Sequence, residues 1–161
     1  MAKTVDLNAD MGESFGPWVM GNDAAVLDIV TSANIACGFH AGDADVMART
    51  FRMALEKGVG VGAHPGFADV QGFGRRRISL SSEELANLVT YQLGAAQAMA
   101  RAAGGELRHL KLHGALANMA SEDIEMARTC YASAEKVQPG IVIMTLAGTA
   151  QEAAAEALGL N

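Results

Sequence analysis

Three of the four histidines in this 161-residue chain close short runs of small and apolar residues. "SANIACGFH" ends at His40, "GVGVGAHP" carries His64 and "LRHLKLHG" carries His113. A further run, "VDLNADMGE", delivers Asp10. Imidazole and carboxylate groups are common ligands of zinc and similar ions, and they also move protons in catalysis. No HxxxH or CxxC pair supports a metal on local spacing, so Asp10, His40, His64 and His113 would have to meet through the fold. Around them lie further groups with chemical potential. Asp6, Asn8 and Asp10 alternate with Val5, Leu7 and Ala9, which puts the three polar side chains on one face of a strand. Asn34 and His40 share a face of the second run, and His109, Lys111 and His113 share a face of the next-to-last. Lys111 is suited to a carboxylate or phosphate, or to an ion pair with Asp6 or Asp10. Glu13, just past the Met11-Gly12 turn, reads either as a base or as an exposed side chain. Arg75, Arg76 and Arg77 follow "GFG" and read either as an anion clamp or as a solvated loop. His109 stands behind the rim residues on its own strand.

The elements that must position these groups are five. A last apolar run, "IVIMTLAG", joins the four above, and helical patterns separate them. These cover 23–30, 43–58, 81–105 (opened by a Ser cap and an acidic turn), 121–137 and 149–159. Alternation of strand and helix predicts an α/β fold with a parallel sheet and the strands in sequence order. Sites in such sheets gather at the C-terminal strand ends, where Asp10, His40, His64 and His113 all fall. One sheet face is polar and the other apolar, so helices belong on the apolar face. The small residues Gly60, Gly62, Ala36 and Gly38 on the polar side are expected to leave room for a ligand. The segment 66–80 reads as a long loop, functional or mobile.

Composition sets the class. Half the residues are hydrophobic and 19% are charged, as in a single globular domain spanning 1–161. A net charge of -6 and a pI near 5.1, without a basic stripe, argue against nucleic acid. No run is long enough to span a membrane, and "MAKTVDLNAD" lacks the apolar core of a signal peptide, so a cytoplasmic protein is expected. Cys37 and Cys130 read as buried hydrophobes rather than a disulfide framework.

"VDLNADMGESFGPW", "TSANIACGFHAGD", "GVGVGAHPGFADVQGFGRR" and "KLHGALANMA" together resemble the LamB/YcsF family, the A subunits of prokaryotic ATP-dependent 5-oxoprolinase. The likeness is close from residue 5 to about 120 and looser beyond. Leu112 stands where the family usually has Pro, and Ala117 where an aromatic residue is common. The resemblance implies a (β/α) barrel related to metal-dependent polysaccharide deacetylases, of which this chain holds about five β/α units. It also implies ATP-coupled cleavage of the 5-oxoproline lactam to glutamate, with two other subunits (B and C) as partners; a homo-oligomer is also considered. In the wider superfamily one Asp and two His hold a divalent ion, so the resemblance makes Asp10, His40, His64 and His113 the candidate carriers here, for zinc, magnesium or manganese, without the motifs fixing which of them ligate. Catalytic roles then fall to Asp6, Asp10, Glu13, Lys111 and His113, and substrate contacts to Asn8, Asn34, Arg75 and Arg76. Family chains continue past residue 161 to a late His-Gly-Asp motif. The chain is therefore expected to be the N-terminal part of a barrel, inactive alone and open at its first and fifth strands. Two other functions compete: a metal-dependent deacetylase acting on an N-acyl substrate, and a non-catalytic half-barrel that binds partners.

Overall fold

A computed structural model describes residues 4–161. Five parallel strands form one sheet in the order β1-β2-β3-β4-β5. They are β1 (Asn8–Met11), β2 (Ser32–Ala36), β3 (Gly60–His64), β4 (His109–Leu110) and β5 (Val142–Ile143). Between them run α1 (Asp23–Val26), α2 (Ala44–Glu56), α3 (Ser82–Ala102), α4 (Gly114–Glu122) and α5 (Ile124–Val137), with α6 (Ala150–Ala157) after β5. The sequence-order sheet is the one the alternating pattern predicts.

Register explains the two faces. Asn8 pairs with Ser32, Ser32 with Gly60, and Asp10 with Asn34, Asn34 with Gly62, Gly62 with His109, His109 with Val142. These side chains share one face. The alternate residues Met11, Ala33, Ile35, Val61, Ala63, Leu110 and Ile143 are all buried on the other. Helices α2 and α3 pack on that apolar face, and α5 packs on α3. Helix α2 contributes Val46, Met47, Phe51 and Ala54, whose spacing makes one apolar stripe. Helix α3 opens with a complete capping box between Ser81 and Glu84.

Several expectations are corrected by the structure. The first strand begins at Asn8, so Asp6 lies ahead of it. Strands β4 and β5 are two residues each. Lys111 and His113 lie beyond β4, yet their amides still bond to Ala63 O (3.0 Å) and Pro65 O (2.9 Å), which keeps them aligned with β3. The pattern over 121–137 is two helices rather than one. Asp123 has an extended backbone and its side chain accepts from Glu125 N and Met126 N, so it ends α4 and caps α5. Helix α4 begins at Gly114, a residue at φ +53° that hides a helix start from propensity reasoning. The loop 66–80 is anchored, not loose. Phe67 and Asp69 are buried, and the Gln92 amide grips both backbone atoms of Gly66 (2.9 and 3.0 Å).

At Gly60 and Gly62 the polar face does not leave ligand space. A Cβ on Gly62 would lie 2.3 Å from the His109 ring, and one on Gly60 would lie 3.1 Å from the Arg108 guanidinium. Those side chains fill the room, because a strand without Cβ lets its neighbour's long side chain lie flat across it.

Candidate functional site

The C-terminal rim of the sheet brings the histidines together. His64 is the last residue of β3. His113 sits one residue before α4, and His40 hangs from the turn after β2. The His40 and His113 rings stack with centroids 3.6 Å apart and planes 6° from parallel, and His64 meets both edge-on. Loop 66–80 closes over the stack. Phe73 lies edge-on to His40 and His113, and Gly74 at φ +61° passes so close that a Cβ there would be 2.6 Å from His40 Cβ.

Backbone carbonyls decide which nitrogens are free. His64 Nδ1 lies 2.7 Å from Lys111 O, and His113 Nε2 lies 2.8 Å from Phe73 O. A carbonyl only accepts, so both nitrogens must carry protons. In the neutral rings, His64 Nε2 and His113 Nδ1 then present lone pairs to one another across 3.1 Å. Such an arrangement needs a proton or a cation between them. His40 is fully buried, and neither of its ring nitrogens has a hydrogen-bond partner. Each unmet buried polar group costs about 1–3 kcal/mol. Burial, followed by the neighbouring His113 and His64, pushes the His40 pKa down to about 2. Burial likewise pushes His113 down to about 4. Neutral imidazoles with inward lone pairs are what a divalent metal needs.

One ligand atom from each of Glu13, His40, His64 and His113 lies within 4.8 Å of the others, which makes this group a candidate metal centre. Burial, and then the charge of Asp10, raise the Glu13 pKa. Asp10 lies alongside the group. Its Oδ1 accepts from Lys111 Nζ (2.7 Å) and Asn34 Nδ2 (2.7 Å), and its Oδ2 is 3.5 Å from His64 Nε2. Burial works against its ionisation, but its hydrogen-bonded and charged surroundings outweigh burial and hold the carboxyl far below the usual carboxylate range, with Lys111 and Asn34 both donating to Oδ1. Asp10, His64, Arg75, Lys111, His113 and Asn118 border an open cavity of about 360 Å³. A second cavity of about 190 Å³, walled by Phe15, Trp18, Met20 and Phe73, reaches Glu13 and His40.

The remaining candidates are sorted by their partners. Asp6 is not brought to the rim; it accepts hydrogen bonds from Thr31 and Ser32 (the latter 2.6 Å) at the N-terminal end of β2. Asn8 bonds to Ser32 and Asn34 within the sheet. Asn34 is fully buried and saturated. It donates to Asn8 Oδ1 (2.5 Å) and Asp10, and accepts from Asn8 Nδ2 (3.0 Å) and His109 Nε2 (2.6 Å), which leaves it no group for a substrate. Arg76 is held by the buried carboxylate of Asp69, and Arg77 pairs with Glu122. Only Arg75 of the three borders the cavity, with its guanidinium 5.3 Å over the Phe73 ring. Sequence reasoning missed Phe73, whose carbonyl sets the His113 tautomer, and Gln92, which anchors the covering loop. Gln92 had a signal: it is the polar member of the buried stripe Leu85, Val89, Leu93, Ala96 on α3. Cys37 and Cys130 are buried, as expected, and burial pushes both thiols up to about 12.

The LamB/YcsF family model matches residues 5–161. The chain belongs to the LamB/YcsF family. It is 66% identical to the 5-oxoprolinase A subunit of Ruegeria pomeroyi over 96% of this chain and 61% of that one. It is 55% identical to the 5-oxoprolinase A subunit of Nitrobacter hamburgensis over 98% of this chain and 62% of that one. The lactam utilization protein of Thermus thermophilus, a crystal structure, superposes with a TM-score of 0.96 at 45% identity, over 99% of this chain and 64% of that one. The chain thus spans somewhat under two thirds of the length of these LamB/YcsF relatives. Its five-stranded parallel sheet, which carries the histidine cluster at one rim, is consistent with a barrel-like fold. Among the described residues, no helix is long and apolar enough to cross a membrane.

Proposed function

We propose that this chain is part of the A subunit of an ATP-dependent 5-oxoprolinase, which opens the 5-oxoproline lactam to L-glutamate in the cytoplasm together with the B and C subunits. The observation that carries the proposal is the cluster of three buried histidines with two carboxylates at the rim of the sheet, in a chain 66 and 55% identical to named 5-oxoprolinase A subunits.

An unstrained lactam carbonyl is a poor electrophile, and opening it is close to balanced, so coupling to ATP supplies the drive. Transfer of the γ-phosphoryl group to the lactam oxygen makes the ring carbon electrophilic. Water then adds to that carbon, the C–N bond breaks as the ring nitrogen takes up the proton the water gives up, and a second water cleaves the resulting γ-glutamyl phosphate to glutamate and phosphate, with ADP the other product. Arg75 is the cavity's cation for the substrate carboxylate, because Arg76 and Arg77 are already paired. Asp10 remains ionised through the neutral range and borders the same cavity, so it orients the attacking water by accepting its hydrogen bond. Lys111 holds Asp10 in place and presents positive charge where oxygen charge develops. His40, His64 and His113 would hold a divalent ion, which when bound polarises a carbonyl and lowers the pKa of water. His64 Nδ1 and His113 Nε2 keep their protons on backbone carbonyls, which fixes the rings for that role.

The test is turnover by the full chain assembled with its partner subunits. ATP-dependent release of glutamate from 5-oxoproline is expected. His64→Ala should lower it at least about a hundredfold while the thermal melt stays near that of the unchanged protein. An assembly that releases no glutamate with ATP would sink the proposal. Release of acetate from an N-acetylated substrate without ATP would point to the deacetylase reading, and neither activity to the partner-binding one.

A further inference from the structure

The rim carries two carboxylates, and their surroundings differ in a way that separates their roles. We propose that Glu13, not Asp10, completes a divalent-cation site with His40, His64 and His113, and that Asp10 stands beside that site as a clamped anion. This rests on reading the cluster as a metal centre, but not on which substrate the protein uses.

Four observations support the division. Glu13 contributes an oxygen to the set of donor atoms that lie within 4.8 Å of one another, and Asp10 does not belong to that set. Asp10 is already neutralised by Lys111 at 2.7 Å, whereas among the described residues Glu13 has no ion-pair partner. A half-buried carboxylate without a cation is the group with most to gain from one. Asp10 is also locked. Its Oδ1 is shared by Lys111 and Asn34, and Asn34 cannot turn away because His109 Nε2 donates to its carbonyl oxygen. His40 offers the complement on the other side, a fully buried ring with both nitrogens unpartnered. One carboxylate oxygen and three imidazole nitrogens suit a zinc-like ion better than magnesium or calcium.

The chain geometry makes this economical. The Met11-Gly12 turn carries Glu13 past the end of β1, and Gly12 N is tied to Asp23 Oδ2 at 2.9 Å. Asp10 faces the polar side of the sheet from within the strand, while Glu13 reaches the cluster from the turn beyond it. The two carboxylates therefore approach His64 from different elements of the backbone.

The experiment is zinc titration of the full chain against a chromophoric chelator, with the cobalt(II) absorption spectrum as a second readout. The protein should bind one equivalent of zinc. Glu13→Gln should weaken zinc at least about tenfold and alter the visible cobalt spectrum. Asp10→Asn should hold zinc within about threefold of the unchanged protein and keep that spectrum, even where it loses turnover. Circular dichroism melts establish that each variant is folded. Should Glu13→Gln fail to fold, the Asp10→Asn arm decides alone. Loss of zinc in Asp10→Asn, unchanged zinc in a folded Glu13→Gln, or no stoichiometric zinc in the unchanged protein would each overturn the proposal. Turnover plays no part in these readouts, so a wrong substrate assignment leaves them interpretable.

Discussion

Asn34 illustrates what a single buried amide does in this fold. It joins Asn8 and Asp10 of β1 to His109 of β4, across β3, through four hydrogen bonds. Replacing it by leucine leaves donors and acceptors on three neighbours unmet. At about 1–3 kcal/mol for each unmet group, partly relieved by water at the open cavity, Asn34→Leu should lower stability by roughly 2–4 kcal/mol. Urea unfolding measures this; a loss below about 0.5 kcal/mol would mean that the network is dispensable. Asp69 gives a pH signature. Its pairing with Arg76, aided by the Gly72 amide, holds its pKa at about 2, below the ordinary value near 4. The unfolded chain therefore binds the proton first as pH falls, and stability drops between about pH 4 and pH 2. Above that window the charged pair favours the folded state, so Asp69→Asn should be less stable at pH 6. The gap to the unchanged protein should narrow towards pH 2. A gap of constant size across thermal melts at these pH values would exclude the ion pair as its cause.

At the scale of elements, the strands act as rulers and the loops as hands. Strands β1 and β3 end at or beside Asp10 and His64, and short turns beyond the strand ends supply Glu13, His40 and His113. The sheet can carry a long side chain such as His109 on its polar face only because β3 has no Cβ at Gly62. Gly62→Ala should displace the imidazole and cost roughly 1–3 kcal/mol, as overpacking does elsewhere. It should also loosen Asn34, since His109 Nε2 makes one of its four hydrogen bonds. A crystal structure of the variant with His109 unmoved would contradict this. Loop 66–80 gains its order from outside itself, through Gln92 on α3 and through Asp69, whose amide bonds to Phe39 O at 3.1 Å.

For the whole molecule, the sheet presents two outer strands. Strand β1 is flanked by exposed Val5 and Leu7, and β5 carries exposed Val142 with Leu146 beyond it. Outer strands with apolar neighbours favour pairing with another chain, and β1 carries that edge more openly than β5, whose outward Ile143 N is already bonded to Asn161 O at 2.8 Å. The 161-residue chain is therefore predicted to self-associate, and sedimentation velocity over a concentration series should show species larger than a monomer. A single monomeric boundary at all concentrations, with a cooperative thermal melt, would refute it.

The alternating pattern of the sequence by itself determined the parallel strand order, the polar and apolar faces and the placement of Asp10, His40, His64 and His113 towards one rim. These are legible because side-chain direction in a strand follows from backbone geometry within a few residues. Only the tertiary structure decided which donors meet. It left Asp6 at the far end, drew Glu13 into the cluster, saturated Asn34, and assigned Arg76 and Arg77 to Asp69 and Glu122 so that Arg75 alone borders the cavity. The helix at 114–122 stayed hidden because its first residue is a glycine at positive φ. Those outcomes turn on contacts between distant segments, such as the 75 residues between Asn34 and His109 or the 45 between Arg77 and Glu122. Local periodicity carries no information about such partners, because each ion pair and hydrogen bond is chosen by which groups the packed helices and loops bring within about 3 Å.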